Sequence, residues 1–221
     1  MPKGDTRRFR NREELIAKLK QRDWRNDFSA LHDKNNLGPL SAIYRSVSKT
    51  TFRAFRKHKD WSPSFVFRER AAKELAGGGL SELIAVRSND QYRSWAVKLA
   101  RGLSKEWQKR LRYEIELPRA LKLVNLLAKG LCIVTPLWPD TFEAIVWFVE
   151  VPLDKYSLRP LACIPELGRL GINWNNASMG SIENLKTYAK IQDSIHAFCG
   201  EANVPPLAYD FLAWDIPHGK R

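Results

Sequence analysis

Apolar residues recur along this chain in two rhythms, and the change between them falls near Gly130. Before Gly130 the spacing is helical. Behind Asn11, Leu15, Ile16 and Leu19 repeat at helical intervals, with Glu13 and Glu14 placed to complement a positive helix N-terminus. From Gly38-Pro39 onward, Leu40, Ile43, Val47, Phe52 and Phe55 fit one or two short helices running to about His58, before Trp61-Ser62-Pro63 breaks the pattern. Residues 67–75 predict another helix, stopped by the triple glycine 77–79, because glycine lacks helical preference and reaches left-handed conformations freely. The longest periodic element follows. Trp95, Leu99, Leu103, Trp107 and Leu111 recur every four residues as one broad apolar stripe, with Asn89 or Asp90 as the cap and mostly Arg and Lys elsewhere. Pro118 opens a further helix through Leu121, Val124 and Leu127, closed by Gly130.

Past Gly130, residues 131–135 and 141–149 are rich in β-branched and aromatic side chains, and Pro139-Asp140 between them is turn chemistry. That grammar predicts a β-hairpin. Both strands are apolar on both faces, which places the hairpin inside the protein or at an oligomer contact. Residues 152–180 read as irregular. Ser181 then caps a helix carrying Ile182, Leu185, Ile191, Ile195 and Phe198, stopped by Gly200, and a short helix over 206–214 closes the chain. The expected class is α+β and predominantly α-helical. Its parts are a flexible basic arm over 1–10, a basic helical region over 11–130, and the hairpin with its closing helices over 131–221, which can form one continuous domain with 11–130. No internal repeat is visible.

Charge changes this picture more than composition does. Residues 1–112 hold 27 Lys or Arg against 12 Asp or Glu, and residues 113–221 hold 10 against 12, so the leading half carries +15 and the trailing half −2. An excess gathered in one half repels itself and offers a polyanion a surface to stay on. Basic clusters alternate with aromatics at Arg7-Arg8-Phe9-Arg10, along 52–59, and at Tyr92-Arg93 with Trp95. The helical spacing of Phe52, Phe55 and Trp95 sends those rings toward a core, so phosphate contact rather than base stacking is expected. The expected partner is nucleic acid, DNA or RNA, contacted by Arg7, Arg8, Arg10, Arg53, Arg56, Lys57, Arg93, Arg101, Lys105, Lys109 and Arg112. With the apolar hairpin as a second docking face, the chain could also serve as a subunit of a larger nucleoprotein complex.

Other classes find less support. The basic residues are spread over several segments rather than one amphipathic helix, and no run approaches the roughly 20 apolar residues of a membrane span. The first residues lack a signal peptide's apolar centre, so a cytoplasmic protein without membrane association is expected. Cys132, Cys163 and Cys199 are odd in number and contain no Cys-x-x-Cys pair, which predicts free thiols, no zinc site and no cofactor. His196 and Cys199 lie three apart with no second pair of ligands. Asp140, Glu143 and Glu150 bracket the predicted hairpin, but Glu143 and Glu150 would point to opposite faces of a strand, and Pro152 stands where a metal-dependent nuclease would place a Lys.

Two short segments invite comparison with enzymes. Lys190-Ile191-Gln192-Asp193-Ser194-Ile195, followed by Val204-Pro205 and by Asp210 with Trp214, resembles the catalytic segment of helix-hairpin-helix DNA glycosylases of the 8-oxoguanine type. The resemblance spans about 25 residues and implies Lys190 as the amine nucleophile and Asp210 as the assisting carboxylate. The glycine-rich hairpin of that family is replaced here by residues 184–189, which are good helix sequence. The Arg53 and His58 spacing resembles the ribonuclease signature of a family of helical nucleotide-binding toxins and defence proteins, which implies His58 as general base and Arg53 as phosphate ligand.

Overall fold

The computed structural model describes residues 9–31, 38–47, 51–52, 55, 62–133 and 140–218. Every regular element among them is helical: α1 Arg12–Lys20, α2 Trp24–Leu31, α3 Pro39–Ser46, α4 Pro63–Glu74, α5 Leu80–Ile84, α6 Asn89–Leu111, α7 Leu117–Leu131, α8 Asp140–Ile145, α9 Lys155–Leu158, α10 Leu185–Glu201 and α11 Pro206–His218. The expected α+β class is therefore corrected to a helical one, because the predicted β-hairpin is absent from the described residues. Leu131 ends α7, residues 134–139 lie outside the described residues, and the second supposed strand begins as α8. The apolar run deceived by composition. Phe142, Ile145, Val146 and Val149 follow an i, i+3, i+4, i+7 spacing and all are buried, while Glu143 is exposed, so burial on one helical face outweighed β-propensity. The apolar hairpin proposed as a docking face for a protein partner goes with it.

The chain divides into two units, residues 28–149 and residues up to 27 joined by those from 150 onward. In the first, α6 packs against α4 and α7, and α3 packs against α7. The four-residue repeat of α6 becomes its buried stripe, with Trp95, Leu99, Leu103, Trp107 and Leu111 all enclosed. Ser88, one residue earlier than expected, caps α6 by accepting a hydrogen bond from the Gln91 N–H at 3.2 Å. Tyr92 donates its hydroxyl proton to Asn125 Oδ1 at 2.8 Å, a buried link between α6 and α7. The triple glycine does not simply stop α4. Gly78, at φ +100°, turns the chain through a widened segment Leu75–Gly79 into α5, and Trp95 Nε1–H donates to the Gly79 carbonyl at 2.8 Å. Gly130 lies within the last turn of α7, where a Cβ would come 3.1 Å from the Ala42 carbonyl of α3.

In the second unit α10 packs against α1 and α11, and short 3-10 turns fill much of the stretch between α9 and α10. Asn184, not Ser181, caps α10 by accepting from the Thr187 N–H at 2.9 Å. A buried polar cluster ties the unit together. Gln192 donates from Nε2 to the Val151 carbonyl at 2.8 Å and accepts the Val151 N–H at 3.1 Å, while Tyr188 donates to Glu150 Oε2 at 3.1 Å. Arg12 pairs with Glu201 and with Glu166, joining α1 to α10 and to the turn Pro165–Leu170. No helix of the described residues is long and apolar enough to cross a membrane.

Candidate nucleic-acid interface

Residues 28–149 contain 21 Lys or Arg against 11 Asp or Glu, so this unit holds +10 of the chain's +13. What decides whether that charge is available is pairing. Arg70 pairs with Glu74, Lys98 with Glu82, Arg119 with Glu116, and Arg110 with both Glu69 and Glu106. The Arg110 hydrogen bond holds the Glu69 carboxyl below its usual range. The Arg68 guanidinium lies 4.7 Å from the Tyr44 ring centroid.

Four of the cations predicted from sequence escape this pattern. Arg101, Lys105, Lys109 and Arg112 are exposed and pair with no carboxylate among the described residues. On a helix of 3.6 residues per turn, 101, 105 and 109 follow one another at i, i+4 spacing, on the side of α6 turned away from Leu99 and Leu103. Arg101 to Lys109 spans about 12 Å of helix, a length over which duplex DNA carries about seven phosphates. Like charges at this spacing repel by a few tenths of a kcal/mol per pair, and the acid nearest to them on α6, Glu106, is engaged by Arg110. The helix dipole accounts for cations in the last turn, at Lys109 and Arg112, but not for Arg101 and Lys105 farther in.

Arg112 adds a backbone feature. It terminates α6 at φ +60°, the left-handed position where glycine is usual, and its N–H bonds to the Gln108 carbonyl. Beside this face, Arg101, Lys105 and Gln108 border an open groove of about 580 Å³ closed on its other side by Glu114, Ile115 and Glu116. Ser104 donates to the Ile115 carbonyl at 3.3 Å across its floor. The two glutamates limit the cationic surface on that side.

The remaining predicted residues separate from this face. Arg93 is half-buried on α6. Arg10 is exposed but bonded through Nε to Glu14 at 3.1 Å, and its neighbour Phe9 is buried. Arg7, Arg8, Arg53, Arg56, Lys57 and His58 lie outside the described residues. Lys190 is exposed in the second turn of α10, Asp210 is buried in α11, and they form no ion pair with each other. Nothing in the fold shields the Lys190 amine from water, which is the usual way an amine nucleophile is activated.

The cysteines are free. Burial pushes the Cys163 thiol up to about 11 and raises Cys132 and Cys199 as well, so all three are protonated at neutral pH and none supplies a nucleophilic thiolate. No group of three metal-ligating side chains occurs among the described residues. No protein family, curated protein or solved structure matches the chain.

Proposed function

We propose that this chain binds nucleic acid, DNA or RNA, by laying the exposed face of α6 along a phosphate backbone. The observation that carries the reading is the run Arg101, Lys105 and Lys109, three exposed cations following one another along one side of a helix and forming no ion pair among the described residues. Such a run costs stability in the free protein, and a phosphate strand offsets that cost. Recognition of this kind reads backbone charge and spacing rather than base sequence.

Fluorescence anisotropy of labelled duplex DNA and duplex RNA, measured at rising KCl, tests the proposal. Four phosphate contacts give a slope near −3.6 in log affinity against log salt, about a 150-fold loss between roughly 50 and 200 mM. Absence of binding at low salt, or a loss of only a few-fold, would overturn it.

The backbone at Arg112 permits a test with opposite signs in two assays. Arg112→Gly relieves the left-handed φ and should raise stability by about 1 kcal/mol, while removing one contact and flattening the salt slope by about 0.9. Urea unfolding and anisotropy read the two effects on the same variant. Loss of stability, or an unchanged slope, would show that Arg112 serves the helix end and not a phosphate.

A further inference from the structure

A second cavity lies away from α6, in the unit formed by residues up to 27 and from 150 onward. It is framed by Phe9 and Arg10 ahead of α1, by the 3-10 turn Arg159–Cys163, and by residues 172–175. Its volume is about 340 Å³, room for about eleven waters at liquid density and within the range of small-molecule sites.

The lining has three properties that converge. Arg159 and Arg10, the latter bonded to Glu14, border the cavity, and among the described residues no carboxylate lines it. The Arg159 Nε is enclosed and has no hydrogen-bond partner among the described residues. Trp174 is 9% exposed, and its indole N–H, likewise enclosed, meets no acceptor among the described residues. A buried donor without an acceptor costs about 1–3 kcal/mol, and here two such donors belong to residues that line one space. Phe9 and Ile172 supply apolar wall, and Asn173 adds an amide.

We propose that this cavity binds a small organic anion, whose carboxylate or phosphate oxygens engage Arg159 and Trp174 while its apolar body fills the space toward Phe9 and Ile172. An oxyanion fits because guanidinium and indole N–H are donors only. An organic body fits because the volume exceeds what a bare oxyanion occupies and part of the wall is apolar. The neutral thiol of Cys163, on the same lining, adds no opposing charge. The site does not depend on α6, so it stands or falls apart from nucleic-acid binding.

Titration of the ¹⁵N-labelled full chain with benzoate, phenyl phosphate and neutral benzyl alcohol, each to about 10 mM, tests it through the amides of Ile172 and Asn173 and the Trp174 indole. Saturable shifts are expected with at least one anion and not with the alcohol. Tighter binding of benzoate identifies a carboxylate site, and of phenyl phosphate a phosphate site. Arg159→Gln should weaken binding at least tenfold. Trp174→Phe, which removes only the donor, should weaken it several-fold and keeps the test decisive if the arginine variant does not fold. No saturable shift with either anion, equal binding of the alcohol, or affinity unchanged in Trp174→Phe would overturn the assignment.

Discussion

Reversal of Arg101, Lys105, Lys109 and Arg112 to Glu should lower affinity for duplex nucleic acid by at least 100-fold at about 50 mM salt, with the helical circular dichroism unchanged. Each substitution removes a phosphate contact and adds a charge that repels the strand, so the effect exceeds loss of the four contacts alone. Stability should suffer little in the body of the helix, because the four side chains are exposed and leave no carboxylate unpaired. Reversal of Lys98 and Arg110 is the control. Their charges already serve Glu82, Glu69 and Glu106, and the variant should lose far less affinity while losing local ion pairs. A gel shift with both variants distinguishes a specific face from net charge: equal losses per reversed charge would mean that only the total charge matters.

The second large effect concerns what holds that face rigid. Trp107 is fully buried on α6, with Phe55 edge-on at 5.6 Å and Tyr113 edge-on at 6.1 Å between ring centroids. Trp107→Ala should cost about 3–5 kcal/mol, because it removes a large transfer term and leaves a cavity that the surrounding helices close only in part. With urea slopes of about 1–3 kcal/mol/M, the unfolding midpoint should fall by more than 1 M. Trp107→Phe should retain most of the stability. A loss below about 1 kcal/mol in the alanine variant would mean that this aromatic cluster is not a keystone of the residue 28–149 unit.

Elements with one dominant face were the legible ones. The four-residue repeat of α6 placed its buried stripe from spacing alone, and left mostly Arg and Lys for the other faces of the helix. Caps moved by one to three residues because several polar candidates stand together, at Ser88-Asn89-Asp90 and across Ser181 to Asn184, and only backbone geometry selects one. The segment 141–149 failed for a different reason. Its β-branched composition masked a helical spacing of Phe142, Ile145, Val146 and Val149 that was there to be counted.

Pairing was largely illegible, since it depends on contacts remote in sequence. Arg10 with Glu14 follows from i, i+4 spacing, but Arg110 finds Glu69 41 residues away and Arg12 finds Glu201 189 residues away. Those contacts decide which cations remain available. The cavity beside Arg159 had no sequence signal at all, because Phe9 and Trp174 meet only once the two ends of the chain join in one unit.

The most direct measurement is the salt dependence of duplex affinity, taken side by side for the unmodified chain and the Arg101, Lys105, Lys109 and Arg112 reversal. A slope of about −3.6 or steeper in the unmodified chain, flattening by about that amount in the variant, is the predicted result. Parallel slopes in the two proteins would contradict a phosphate-binding face on α6.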